Sequence, residues 1–344
     1  MKILIVKTSS LGDIIHAYPV LSYLKKHFPE STIDFVVEKP FAELVSNHPF
    51  VDKVIEVDTK QWRKKISCLF TGVSNFRKAL RSQTYDVCFD LQCNLKSGLI
   101  VSQVKAKHKV GFGFKRAIEW PNCLFNRIRF NPPKVCNVRE ENLFLVKEYF
   151  KIESTNFENA NLQISEHDKE HINDLLLSIS NPTKIMVCPG SIWQNKQINK
   201  ETMIEFLKKV ETHKNCSFLF IWGSLKEKEY AEELQANFTA NSIVVERLSL
   251  SALQNLMSHM QLVIAMDSLP LHLAGTTNTK TFSFFGPSSS AKFMPMGEQH
   301  HAFQGSCPYG KVIQRRCPII RTCKTGACLR GISSDTLFDA FLRR

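Results

Sequence analysis

Short apolar, β-branched runs alternate with helical patterns along nearly the whole chain, and this alternation limits the fold more than any other feature. Runs at Ile3–Val6, Ile33–Val37, Lys53–Val57, Val87–Leu91, Lys184–Val187, Phe218–Trp222, Ile243–Val245, Leu262–Ala265 and Thr281–Phe285 read as strands. Between them the spacing predicts helices over Ile14–Lys26, Arg77–Ser82, Glu140–Phe150, Lys169–Leu177, Glu201–Lys209, Lys226–Asn237, Ser251–Met260 and Ser334–Leu342. Strands separated by helices form parallel sheets with right-handed crossovers, so the fold class is α/β. The alternation stalls in the polar, Asn-rich stretch from Glu153 to Glu166 and restarts at Lys184. A domain boundary there gives two α/β halves, residues 1–160 and 161–344. A central cleft between two such halves is where small-molecule sites concentrate.

Bulk properties narrow the class. The 344 residues, 43% hydrophobic and 22% charged, fit a soluble globular protein. No apolar run reaches membrane-spanning length, and the first residues lack the order of a signal peptide, so a cytoplasmic location is expected. The formal net charge of +13 is either a solvated basic surface or a sign of an anionic partner such as nucleic acid, an acidic membrane face or a phosphorylated glycolipid. Aromatic interleaving is too thin for a nucleic-acid stacking platform, and no specific nucleic acid is expected. Of eleven cysteines, Cys307, Cys317, Cys323 and Cys328 crowd near the end without paired CxxC spacing. A reduced structural cluster is favoured over zinc.

The chemistry-bearing residues sit where strands run into helices. After Ile3–Val6 come Thr8-Ser9-Ser10, Gly12 and then Asp13 beside a helix start. A carboxylate at a strand C-terminus of an α/β fold is placed to act as a base. Gly190 and Ser191 follow the Lys184 strand, with Lys196 a few residues on as a counter-charge for phosphate; an ordinary turn with a surface lysine is the alternative. Trp222 and Gly223 end another run, where the glycine lets a ligand approach or makes a simple αL turn, and Gly286 ends the Thr281 run as a ligand-facing turn. Met266-Asp267-Ser268-Leu269-Pro270-Leu271-His272 reads as a strand entering a helix whose first turn holds Pro270. Asp267 and Ser268 can cap that helix, and the same open N–H groups can hold an anion; capping alone with a satisfied histidine is the alternative. Lys60-Gln-Trp62-Arg63-Lys64-Lys65 packs four cations around a tryptophan. No GxGxxG, Walker A, HExxH, GxSxG or DxD pattern occurs.

Together these segments resemble bacterial lipopolysaccharide heptosyltransferases, glycosyltransferase family 9. Lys7-Thr-Ser-Ser-Leu-Gly-Asp13 with His16 and Pro19 is similar to the family's opening, and Asp90-Leu-Gln92-Cys-Asn-Leu-Lys96-Ser97 to its second segment. Gly190-Ser191 through Lys196, Trp222-Gly223, Asp267-Ser268 with His272, and Phe285-Gly286-Pro287 match in order. The Lys60–Lys64 segment resembles heptosyltransferase I most. The resemblance implies a GT-B fold of two Rossmann-like domains with parallel sheets facing a central cleft. It implies inverting transfer from ADP-heptose to the Kdo region of Kdo-lipid A, with no metal and no other cofactor.

In that scheme the N-terminal domain holds the acceptor through Ser10, Lys60, Arg63, Lys64, Gln92 and Lys96. The C-terminal domain holds the donor through Gly190, Ser191, Trp222, Gly223, Asp267, Ser268, His272 and Gly286. Asp13 is the catalytic base and Lys196 stabilises the departing ADP. The protein would work as a peripheral enzyme at the cytoplasmic face of the inner membrane. The last helix is expected on the core, with packing back onto the N-terminal domain or a membrane contact as alternatives. The chain departs from the family pattern at Leu269, where glycine is usual, and at Ile198, where tryptophan is usual. Alternative readings are a heptosyltransferase II-like acceptor, another nucleotide sugar, or a non-catalytic sugar-nucleotide binder.

Overall fold

A computed structural model describes residues 1–64, 66–154, 158–238 and 242–343, with residues 63–64 and 66–70 described by backbone alone. The chain divides into two compact units, Met1–Gln163 and Ile164–Arg344, parted inside the polar stretch that interrupts the strand–helix alternation.

The first unit runs β1 (Lys2–Val6), α1 (Leu11–Ile15), α2 (Tyr18–His27), β2 (Thr32–Glu38), α3 (Ala42–Ser46), β3 (Lys53–Val57), α4 (Thr59–Lys64) and α5 (Ile66–Leu80). It continues with β4 (Tyr85–Asp90), α6 (Leu95–Gln103), β5 (Ala106–Phe112), β6 (Ile128–Phe130) and α7 (Val138–Phe150). The second unit runs α8 (Glu166–Leu177), β7 (Lys184–Cys188), α9 (Lys200–Lys214), β8 (Ser217–Phe220), α10 (Leu225–Gln235), β9 (Ile243–Val244), α11 (Leu250–Ser258) and β10 (Leu262–Met266). It ends with α12 (Leu269–Ala274), β11 (Thr281–Phe285), α13 (Ser290–Phe293), β12 (His300–Gln304), α14 (Ala327–Arg330) and α15 (Ser334–Leu342).

Each unit holds one six-stranded sheet, ordered β3-β2-β1-β4-β5-β6 and β12-β11-β10-β7-β8-β9. Every strand pair within them is parallel. The two orders are the same doubly wound pattern, the Rossmann-like arrangement. Strand order reverses between β1 and β4 in the first sheet and between β7 and β10 in the second. Loops leaving neighbouring strands at such a switch point diverge to opposite faces and open a crevice at the strand C-termini. Central strands are buried on both faces: Ile3, Leu4, Ile5 and Val6 are fully buried, as are Phe218, Leu219 and Phe220.

The expected elements differ from the observed ones in informative ways. The single helix over Ile14–Lys26 is two helices, α1 and α2, because Pro19 lies in the first turn of α2 and has no N–H to continue a ladder. The helix expected at Arg77–Ser82 begins at Ile66, since Gly72 and the β-branched residues before it weaken the local helix signal. Strands β5, β6 and β12 are absent from the expectation. They lie toward sheet edges, and the first four residues of β5 are half-buried or exposed, so the continuous apolar signature is lost. The terminal helix α15 packs on the second unit's own core, where Phe341 meets Phe206 at 5.8 Å between ring centroids. Among the described residues no helix is long and apolar enough to cross a membrane.

Candidate functional site

The first unit's candidate site forms at the β1/β4 switch point. Ser10 is the N-cap of α1 and Asp13 its third residue. The Asp13 carboxylate accepts from the Ser10 N–H at 3.1 Å and the Ser10 hydroxyl at 3.0 Å. His16 Nδ1 stands 3.8 Å from the other carboxylate oxygen, and the Asp13 side chain is 35% exposed. Asp13 is thus oriented by its own loop while keeping access to solvent or a ligand.

That loop is clamped to its neighbour. The Gln92 side-chain oxygen accepts from the Thr8 N–H at 2.9 Å and the Ser9 N–H at 3.1 Å. The buried Lys7 ammonium donates to the Leu91 carbonyl at 2.6 Å. Burial pushes the Lys7 pKa down, opposed by the charges of Asp13 and Asp90. Behind the clamp lies Asp90, fully buried. It accepts from the Gln92 and Cys93 N–H groups at 3.0 and 3.1 Å, the Ser97 hydroxyl at 3.0 Å and the Asn122 amide at 2.6 Å. Gln92, expected to touch the acceptor, therefore spends its carbonyl on the backbone that carries Asp13. Gln92→Ala should leave two N–H groups unpaired and lower stability by about 1–3 kcal/mol, read by urea denaturation.

The basic acceptor residues separate. Lys96 is ion-paired with the buried Glu38 at 2.9 Å, and Glu38 also accepts from the Thr59 N–H at 3.2 Å at the start of α4. Lys60 is exposed on α4. Arg63 and Lys64 lie in the same helix, but their side chains fall outside the described residues, as does the whole of Lys65.

The second unit's candidate site forms at the β7/β10 switch point. Lys196 ends a short turn, Gln194–Lys196, after β7, and Asp267 follows β10. Their ion pair is 2.5 Å long, with side chains 11% and 6% exposed. His272 Nε2 lies 3.6 Å from the other Asp267 oxygen, and the buried Ser288 hydroxyl donates to Asp267. Burial alone would push the Asp267 carboxyl up. Lys196, His272 and the hydrogen bonds from Lys196 and Ser288 outweigh it and hold the carboxyl below its ordinary range. Among the described residues the Lys196 ammonium contacts Asp267 at 2.5 Å and 3.4 Å, and an ammonium with three donors can also serve an anion.

The other residues expected at the donor site are held by local contacts. Ser191 is buried, and its carbonyl accepts from Gln197 at 2.9 Å. A side chain at Gly190 would meet the Glu227 carboxylate at 2.6 Å. Glu227 also accepts from the Gly223 and Ser224 N–H groups at 2.9 and 3.0 Å. Trp222 donates its indole N–H to the Val245 carbonyl at 2.8 Å, a tie between strand ends. At Gly286 the close neighbour is Leu329, 2.6 Å from where a Cβ would sit, so packing alone already calls for glycine there. Ser268 occupies the N-cap position of α12 but makes no side-chain cap bond; its hydroxyl donates to the Met266 carbonyl at 3.3 Å. The expected cap by Asp267 and Ser268 is thus absent, because Asp267 is engaged by Lys196, His272 and Ser288. Ile198 is a core residue, 4% exposed, while Leu269 is half-buried at the start of α12.

Glu38 and Glu227 join these sites without having been expected there, while Lys7 and Asp90 lie in the two family-like segments and Ser288 in the turn after β11. The signal for Glu227 was the capping box it forms with Ser224. Cys307, Cys317, Cys323 and Cys328 line one cavity as free thiols, and no three His, Cys, Asp or Glu side chains among the described residues are placed to hold a metal ion.

Residues 73–319, more than half of the chain, match glycosyltransferase family 9 (heptosyltransferase). Lipopolysaccharide heptosyltransferase 1 of Campylobacter coli is 29% identical over 301 residues, covering 84% of this chain and 85% of the relative. The Pseudomonas aeruginosa protein of the same name is 28% identical over 324 residues, covering 92% and 87%. Among solved structures, the Escherichia coli heptosyltransferase WaaC with ADP superposes with a TM-score of 0.76 at 22% identity, covering 100% of this chain and 99% of that one. A family 9 glycosyltransferase from Veillonella parvula gives 0.81 at 18% identity, covering 99% and 96%. These structural likenesses establish a GT-B fold. With two doubly wound units, and matched over most of its length, the chain belongs to glycosyltransferase family 9 and is a glycosyltransferase.

Proposed function

We propose that the protein transfers heptose from ADP-heptose to the Kdo region of the lipopolysaccharide inner core, with inversion and without a metal ion. The observation that carries this reading is Asp13: a carboxylate held by Ser10, open to a ligand, at the strand switch point of the first unit. The names of the curated relatives, lipopolysaccharide heptosyltransferase 1, support the donor and acceptor class.

The chemistry is a single displacement. Asp13 removes the proton from the acceptor hydroxyl as its oxygen attacks the anomeric carbon. The bond from that carbon to the diphosphate breaks, and ADP leaves with the electron pair. Lys196 supplies a positive charge to the leaving diphosphate, positioned by Asp267. Ser191 and His272 position the donor, and Lys60, Arg63 and Lys64 meet the anionic acceptor. A lipid-linked acceptor places the enzyme at the cytoplasmic face of the inner membrane.

The test is transfer from ADP-heptose to Kdo-lipid A by the purified protein in EDTA, beside an acceptor already carrying the first heptose. Product on Kdo-lipid A in EDTA supports the reading. Product only on the heptosylated acceptor moves the enzyme to the second transfer, and product only with added divalent metal removes the metal-free step. ADP-heptose binding without turnover on either acceptor would make the protein a binder.

A further inference from the structure

The first unit carries an exposed apolar ridge next to the edge of the sheet that holds Asp13. Leu95 and Leu99, four residues apart on α6, are 41% and 53% exposed. Phe114, Ile118, Trp120 and Leu124, in the segment after β5, are 57%, 58%, 64% and 65% exposed. The two segments are packed together. The Leu95 N–H donates to the Glu119 carboxylate at 2.7 Å, and Asn122 donates to the Asn94 carbonyl at 2.9 Å. A side chain at Gly98 would meet Phe125 at 2.5 Å. Six large apolar side chains gathered this way on one surface are a recognition feature, whereas single exposed ones are ordinary.

The charge around the ridge identifies its partner. From Lys105 to Arg139 the sequence has nine Lys and Arg and one acid, Glu119. Lys115, Arg127 and Arg129 in this stretch are exposed, and the Arg129 guanidinium lies 5.4 Å from the centre of the Phe114 ring. Aromatic and aliphatic side chains rimmed by cations suit the boundary of an anionic bilayer: the rings enter the headgroup layer while Lys and Arg meet lipid phosphates. A second protein copy would set this basic rim against itself, which opposes self-association.

Topology adds a reason for the location. Strands β1, β4 and β5 are parallel neighbours, so the loops leaving Val6, Asp90 and Phe112 emerge at one edge of the sheet. Asp13, Leu95 and Phe114 all follow those loops. A bilayer held at this edge would present a headgroup sugar to Asp13 without the lipid leaving the membrane. We infer that the α6 face and the 114–124 segment form the membrane-docking surface of this protein, specific for anionic phospholipid. Its use in catalysis rests on the transfer reading above; its affinity for a bilayer does not.

The test is co-sedimentation of the full chain, without donor or acceptor, with vesicles of phosphatidylglycerol or of phosphatidylcholine alone. The wild type should pellet with the anionic vesicles, lose affinity as salt rises, and show a blue shift in tryptophan emission that Trp120→Phe reduces. The double variant Trp120→Ser, Leu124→Ser alters exposed positions and should bind at least about tenfold more weakly. Its transfer to a soluble, deacylated acceptor should be unchanged. Equal binding of wild type and double variant, or no preference for anionic lipid, would overturn the assignment. So would a concentration-dependent dimer that the double variant abolishes in a protein that ignores vesicles. Vesicle binding together with failed transfer would leave this surface standing and remove the catalytic reading instead.

Discussion

Asp13→Ala should lower kcat by about 10²–10⁴-fold, the range associated with loss of a positioned general base, while the KM for ADP-heptose changes little. The split follows from where Asp13 sits. Its carboxylate belongs to the first unit, accepts from Ser10, and lies beside the β1/β4 switch point, whereas Lys196 and Asp267, proposed for the donor, belong to the second. Asp13 also has a structural duty, since the Ser10 backbone donates to it. Removing that contact should cost about 0.5–2 kcal/mol of stability. Asp13→Asn separates the two duties. The amide oxygen still accepts from the Ser10 N–H, but an amide cannot take a proton at neutral pH. Steady-state kinetics and urea denaturation of both variants give the answer. If asparagine restores stability yet kcat stays at the alanine level, Asp13 is the base. If asparagine restores turnover as well, its role is only to cap α1 and another group must remove the proton.

What could be read from the sequence was local, and what could not depended on strand pairing. The Ser10–Asp13 turn is legible because its residues are contiguous and their chemistry sits beside a fully buried strand. Asp267 and Lys196 are legible one at a time, as polar residues after β10 and β7. Their pairing is not, because it arises only when those two strands become neighbours. Gln92 shows the same limit from the other side. An amide at a strand end reads as a ligand contact, and the pairing of β1 with β4 adds a second duty the sequence does not show, its oxygen accepting from Thr8 and Ser9. Gly286 reads as an opening toward a ligand, and its close packing against Leu329 depends on a return of the chain that the local sequence does not show. Glu227 is hidden in a highly charged surface helix, although its spacing from Ser224 marks a cap. Strands β6 and β12 escape notice because an edge strand needs little apolar sequence and takes its register from its one neighbour.

Asp267→Asn should destabilise the second unit by about 3–5 kcal/mol, the cost of stripping one partner from a buried ion pair, and lower its thermal midpoint by about 6–20 °C. Lys196 would remain 11% exposed without its counter-charge, and one of the two oxygens that face Lys196, Ser288 and His272 would become an amide donor. The pH dependence has a definite sign. The folded carboxyl is held below its ordinary range, so the folded state binds fewer protons than the unfolded one as that group titrates. The stabilisation is fully present above the unfolded value of about 3.9 and is lost as pH falls from there through the lower folded value. The wild-type advantage over Asp267→Asn should therefore persist from neutral pH down to about 4 and shrink only in stronger acid. Replacing both partners, Lys196→Met with Asp267→Leu, should cost less than the two single changes together, because no buried charge is left stranded. Thermal unfolding of the wild type, Asp267→Asn, the single variants Lys196→Met and Asp267→Leu, and their double variant across pH makes the measurement. Strict additivity of the two substitutions would show that the pair is not coupled, and Lys196 would then have to be held ready for the diphosphate by something other than Asp267.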